Sequence, residues 1–113
     1  MSLKIVKYEL EAKLTTDSGG RFSKPSGKIE RKSYGDGRER LKISVRNLKV
    51  PDRSTAIVKA DDREIAQIPL VDGSGHIDNE SDDSSSIPTL QVGQAIEILV
   101  DDTLILSGKL YVD

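Results

Sequence analysis

Cysteine and tryptophan are missing from this 113-residue chain, and histidine, phenylalanine and methionine each occur once. The lack of cysteine excludes a disulfide framework, a thiolate metal site and thiol redox chemistry. No apolar run approaches the ~20 residues that cross a bilayer as a helix, so no transmembrane segment is expected. Alanine is scarce, and no stretch carries apolar residues at the i, i+3, i+4, i+7 spacing, so no long helix is expected. The length suits one domain, taken as residues 1–113, and forty apolar residues suffice for a modest single core.

Isoleucine and valine supply 19 of those forty, a β-branched bias that favours pleated sheet. Charge is unevenly distributed behind the net −2. Residues 1–53 hold 14 Lys and Arg against 7 Asp and Glu, and residues 54–113 hold 3 against 12. Met1-Ser2-Leu3 is not a signal peptide, because strand-like alternation begins by Val6 with no apolar segment before it. It reads as a cloning start, compatible with an export signal having been removed. The compartment is left open between secreted, envelope and cytoplasmic.

Strand patterns follow one another along the chain. Val6, Tyr8, Leu10, Ala12 and Leu14 alternate with Lys7, Glu9, Glu11 and Lys13. Residues 15–26 form a Gly/Ser/Pro-rich loop anchored only by Phe22. A hairpin then turns at Gly35-Asp36-Gly37. A two-residue turn there would oppose Ile29 to Ser44 and split the apolar residues between two faces. A three-residue loop opposes Ile29 to Ile43, Arg31 to Leu41 and Lys32 to Arg40, and is the expected register because a one-residue slip inverts every side chain.

Further turns are expected at Asp61-Asp62-Arg63, Gly73-Ser74 and Asp101-Asp102-Thr103. The Gly73-Ser74 turn would oppose Leu70 to Ile77, and Pro69 puts its strand at a sheet edge or has its nitrogen facing solvent. Pro88, Leu90 and Val92 read as a buried crossing. The core is expected to contain Val6, Leu10, Ile29, Ile43, Val45, Val58, Ile68, Leu70, Ile96, Ile98, Leu106 and Leu110. Seven or eight short strands with regular turns predict an all-β, antiparallel β-sandwich, with a small β-barrel as the alternative. Asp61-Asp62, Ile65 and Leu70 recur forty residues later as Asp101-Asp102, Ile105 and Leu110. Shared hairpin chemistry accounts for such an echo without duplication.

Leu41 to Leu48, Val92 to Ile98 and Leu104 to Leu110 (LILSGKL) together resemble small bacterial β-sandwich modules of uncharacterised function. The resemblance implies a sandwich and implies no activity.

Catalysis is not expected. Ser74, His76 and Asp78 would share one face of a strand, but their backbones are ~6.5 Å apart and Ser74 belongs to a turn, so no nucleophile–base–orienter set forms. Glycine-flanked turns without a following helix do not make a phosphate loop, and no cofactor is expected. Asp72, Asp78, Glu80, Asp82 and Asp83 are a minority candidate for calcium, but they miss the spacing of an EF-hand, and turn and loop chemistry explains them.

The basic hairpin is the most distinctive surface. Its outward face is expected to carry Lys28, Lys32, Tyr34, Arg38, Arg40, Lys42 and Arg46 as partner-binding residues, with Lys32 facing Arg40 as a destabilising like-charge pair. The expectation is a non-enzymatic module contacting a protein or glycan, in a bacterial envelope or secreted assembly. Weak self-association through the opposed charges fits as well. A polyanion or nucleic-acid binder using residues 28–46 is the alternative, and nucleic acid is disfavoured because Tyr34 alone is a poor stacking platform.

Overall fold

The computed structural model describes residues 6–15, 25–35, 37–81 and 87–112, with the side chains of 6–8 excepted. Val6, Phe22, Asp36, Asp82 and Asp83 therefore lie wholly or by their side chains outside the described residues. Nine strands follow in chain order: β1 Val6–Thr15, β2 Ser26–Tyr34, β3 Glu39–Arg46, β4 Thr55–Ala60, β5 Arg63–Pro69, β6 Gly75–Ser81, β7 Ala95–Val100, β8 Thr103–Lys109 and β9 Tyr111–Val112. Among the described residues there is no helix.

All of the strands join one antiparallel sheet, in the order β5-β4-β7-β8-β1-β2-β3-β6, with β9 beside β1. The sheet curls into a nearly closed barrel. The expected all-β class is therefore present, and the barrel alternative describes it better than two separate layers, because one hydrogen-bonded path runs from edge to edge. The edges are β5 and β6, joined by the turn that follows Leu70. Pro69 sits on edge strand β5, where a missing N–H costs no ladder bond.

Alternation drives the curl. Leu10, Ala12, Leu14, Ile29, Leu41, Ile43, Val45, Val58, Ile68, Leu70, Ile96, Ile98, Leu106 and Leu110 are all buried in one apolar cluster. Every expected core residue whose side chain is described lies in that cluster. The β2–β3 ladder has Ile29 opposite Ile43, Arg31 opposite Leu41 and Lys32 opposite Arg40, the register of the three-residue loop. Gly37 closes that loop at φ 93°, a conformation open to glycine.

Two expectations are corrected. The turn into β6 is made by Asp72 and Gly73, at φ 53° and 77°, inside a Val71–Ser74 bridge. An Asp-Gly pair suits a type I′ turn, which needs positive φ at both central residues. Leu70 consequently does not oppose Ile77; β6 leaves β5 and pairs with β3, placing Ile77 opposite Ile43. A Cβ on Gly73 would strike the Leu48 carbonyl oxygen, and the Leu48 N–H donates to the Gly73 carbonyl at 2.9 Å. In the crossing segment Ile87 and Leu90 are buried, but Val92 is 55% exposed, because it stands in a turn ahead of Gly93.

The forty-residue echo is a structural repeat. In β4–β5 the pairs run from Thr55–Pro69 to Ala60–Arg63, and in β7–β8 from Ala95–Lys109 to Val100–Thr103. Both ladders shift at the same place, leaving Ile65 and Ile105 as the unpaired residues. Preceding turns match too: Ser54 N–H donates to the Pro51 carbonyl and Gln94 N–H to the Gln91 carbonyl. Strands β4 and β7 pair so that Val58 opposes Ile98, its own counterpart. A local two-fold axis therefore passes between these residues. The match covers 51–70 and 91–110, where only four residues are identical, and so extends past what turn chemistry alone demands.

Asp61, Asp62, Asp101 and Asp102 occupy left-handed backbone at φ 48°, 68°, 50° and 62°. Such φ values are unfavourable for most side chains and tolerable for aspartate. Asp62→Gly and Asp102→Gly are each expected to change stability by less than about 1 kcal/mol, because relief of the left-handed backbone is offset by the greater freedom of glycine in the unfolded chain. Thermal melts of the two variants should shift in the same direction and by similar amounts. Unequal shifts would show that the two turns are not equivalent.

Candidate functional site

The outward residues of β1, β2, β3 and β6 fall into cross-strand rows. One row is Glu9, Lys32, Arg40, Glu80; the next is Glu11, Glu30, Lys42, Asp78; a third is Lys13, Lys28, Ser44, His76. Carboxylates thus flank the basic hairpin on both sides, Glu9 and Glu11 from β1 and Asp78 and Glu80 from β6. Lys28 Nζ lies 3.2 Å from Glu11 and 3.3 Å from Glu30. Lys32 lies 3.9 Å from Glu9 and 3.6 Å from Glu30. Arg38 reaches Glu80 at 3.3 Å, and Arg40 donates through Nε at 2.8 Å and through Nη2 to the two oxygens of Asp78.

These pairs explain how Lys32 tolerates Arg40 opposite it. Each cation takes a carboxylate on its far side, Glu9 for Lys32 and Asp78 for Arg40. The charge split along the sequence is in this way folded back on itself, since Asp78 and Glu80 come from the acidic half of the chain.

The electrostatics follow the geometry. Hydrogen bonding to Arg40 holds the Asp78 carboxyl below its ordinary range against the opposing effect of burial. Asp78, and then the Tyr34 hydroxyl, hold the Arg40 guanidinium above its usual value. Hydrogen bonds to Glu11 and then Glu30 raise Lys28. Burial pushes Glu30 upward, but the hydrogen bond and charge of Lys28, with the charge of Lys32, leave it lowered.

A carboxylate whose folded pKa lies below its unfolded value of about 3.9 stabilises the fold above that pH and ceases to do so as pH falls through the folded value. Asp78→Asn is therefore expected to flatten the acid side of the stability-versus-pH curve, below pH ~4. Near neutral pH it should cost less than about 1 kcal/mol, since the pair is solvent-exposed. An acid limb identical in parent and variant would contradict this assignment.

Tyr34 departs from its expected place. It shares the parity of Lys28 and Lys32 but is buried, so it presents no stacking surface. Arg31, by contrast, points inward and is buried. Its guanidinium donates to Glu39 at 3.0 Å, to the Ser33 hydroxyl at 3.1 Å and to the Pro88 carbonyl at 2.7 Å. This cluster ties the 87–90 crossing to one end of the barrel. Its sequence signal was parity, because Arg31, Ser33 and Glu39 all fall on the apolar side of the hairpin alternation.

Of the remaining candidates, Ser74, His76 and Asp78 line one hollow on the outward face, while Asp82 and Asp83 lie outside the described residues. Ser74 Oγ accepts a weak bond from the Asn47 N–H, His76 is exposed, and Asp78 is held by Arg40. Among the described residues no three potential metal ligands come together. Asp72 belongs to the turn, and Asp78 and Glu80 are committed to arginines. No helix among those residues is long and apolar enough to cross a membrane.

What the outward face does form is a groove of about 580 Å³ over Ser44. Its walls are Lys28 and Glu30 from β2, Lys42 and Arg46 from β3, and His76 and Asp78 from β6. A smaller recess of about 210 Å³ continues it past Gly27 and Ser26. Ser44 makes the hollow, a short side chain between Lys28 and His76 across the strands and between Lys42 and Arg46 along β3. In comparisons with known proteins, the chain matches no family model, no curated protein and no solved structure.

Proposed function

We propose that this chain is a non-enzymatic binding module that contacts a protein or glycan through the outward face of β2, β3 and β6, as a component of a bacterial envelope or secreted assembly. The observation that carries the reading is the groove over Ser44, a hollow on the face of a sheet walled by charged side chains of both signs. Its volume is within the ~300–1,000 Å³ of small-ligand sites, and both donors and acceptors line it. Sites built on strands hold their side chains more firmly than sites on loops.

The polyanion alternative has less support. Most cations of the hairpin already hold carboxylates of the same chain, and Tyr34 is covered. An extended nucleic acid would have to displace these pairs and would find no aromatic platform beside them.

Ser44→Trp fills the groove while leaving the core untouched. Parent and variant should be screened side by side against an oligosaccharide array and a displayed peptide library. Ligands selected by the parent and lost by the variant, at unchanged melting temperature, support the reading. Ligands retained in full by Ser44→Trp, or turnover of any ligand, overturn it.

A further inference from the structure

Within this face, cations differ in how they are employed. Lys28, Lys32, Arg38 and Arg40 each form ion pairs. Lys42 and Arg46 form none with any described residue, although Lys42 lies near enough to Asp78 to lower its carboxyl through charge. Both are exposed, and both project from β3 on either side of Ser44. Ser44 is opposed by Lys28 on one neighbouring strand and by His76 on the other. The groove cations that form no ion pair with a described residue therefore stand on either side of a hydroxyl, with an imidazole beside it.

Resting on the binding-module reading, we infer that this groove takes an acidic saccharide, with the anionic group of one sugar seated between Lys42 and Arg46 above Ser44. The carboxylates in the same groove favour this ligand class over a dense polyanion. Glu30 and Asp78 would repel closely spaced phosphates, yet they accept hydrogen bonds from sugar hydroxyls. A chain that alternates one charge with several hydroxyls matches a wall that alternates cations with acceptors. The 210 Å³ recess past Ser26 and Gly27 gives a second ring room beyond the first. The His76 imidazole is the one ring lining these hollows, and the charged and hydroxyl groups around it supply the remaining contacts to the occupant.

The test is a backbone amide titration by nuclear magnetic resonance with three probes: an oligogalacturonate, a neutral maltooligosaccharide of equal length, and inorganic phosphate. The acidic oligosaccharide is expected to shift the amides around Lys42, Ser44, Arg46 and His76 in a saturable way. The neutral sugar and phosphate should bind at least tenfold more weakly. Lys42→Glu/Arg46→Glu should abolish the effect at an unchanged melting temperature, and Lys42→Arg should preserve it. Equal response to phosphate would mean a plain anion site and overturn the inference. So would absence of any shift with the oligogalacturonate, or shifts spread evenly over Lys28, Lys32 and Arg38. If the array and library instead select a neutral glycan or a peptide that Ser44→Trp loses, the acidic-saccharide inference fails while the binding-module reading stands.

Discussion

Ile98→Ala is expected to lower stability by about 2–5 kcal/mol, the range for truncating a large buried aliphatic residue in a packed core. Ile98 has no exposed surface and pairs with Leu106 on one side and Val58 on the other. It therefore stands on the local two-fold axis, where both hairpins of the repeat meet. Val58 and Leu106 flank the cavity that the truncation would leave. At roughly 4 °C per kcal/mol for a domain of this size, the melting temperature should fall by about 8–20 °C. A variant that melts with the parent would remove Ile98 from the core and the two-fold pairing with it.

Arg31→Leu is the second large effect, expected to cost about 3 kcal/mol. Removing one member of a buried ion pair leaves the other charge without compensation, at about 3–5 kcal/mol. The lower end applies because the Glu39 side chain keeps 18% exposure. Loss of the guanidinium also leaves the Pro88 carbonyl without its donor. The double variant Arg31→Leu/Glu39→Leu should regain most of the loss, since replacing both partners removes the stranded charge. Chemical denaturation of the two variants gives the comparison. A single variant as stable as the parent, or a double variant no better than the single, would contradict this role for the pair.

Local structure was legible where parity and turn chemistry act together. The β2–β3 register followed from keeping Ile29 and Ile43 on one face, and the Pro69 edge from a missing donor. Contacts between distant segments were not legible in the same way. Nothing near β6 in sequence says that it leaves β5 for β3, yet that placement brings Asp78 to Arg40 and shapes the groove over Ser44. The same holds for Arg31, whose Pro88 partner lies 57 residues away. The hairpin's basic face was visible in the sequence; its neutralisation by Glu9 and Glu11 on one side and by Asp78 and Glu80 on the other belongs to the sheet order. Tyr34 shows the limit of parity, because its place on the outward face did not reveal that it would be covered.

The most direct test of the account is to map, by amide chemical shifts, where a ligand selected by the parent protein binds. The expected result is a set of perturbations confined to the outward residues of β2, β3 and β6, centred on Ser44 and absent in Ser44→Trp. Perturbations centred instead on the turns at 51–54 and 91–94, and unchanged in Ser44→Trp, would place binding elsewhere on the barrel and contradict it.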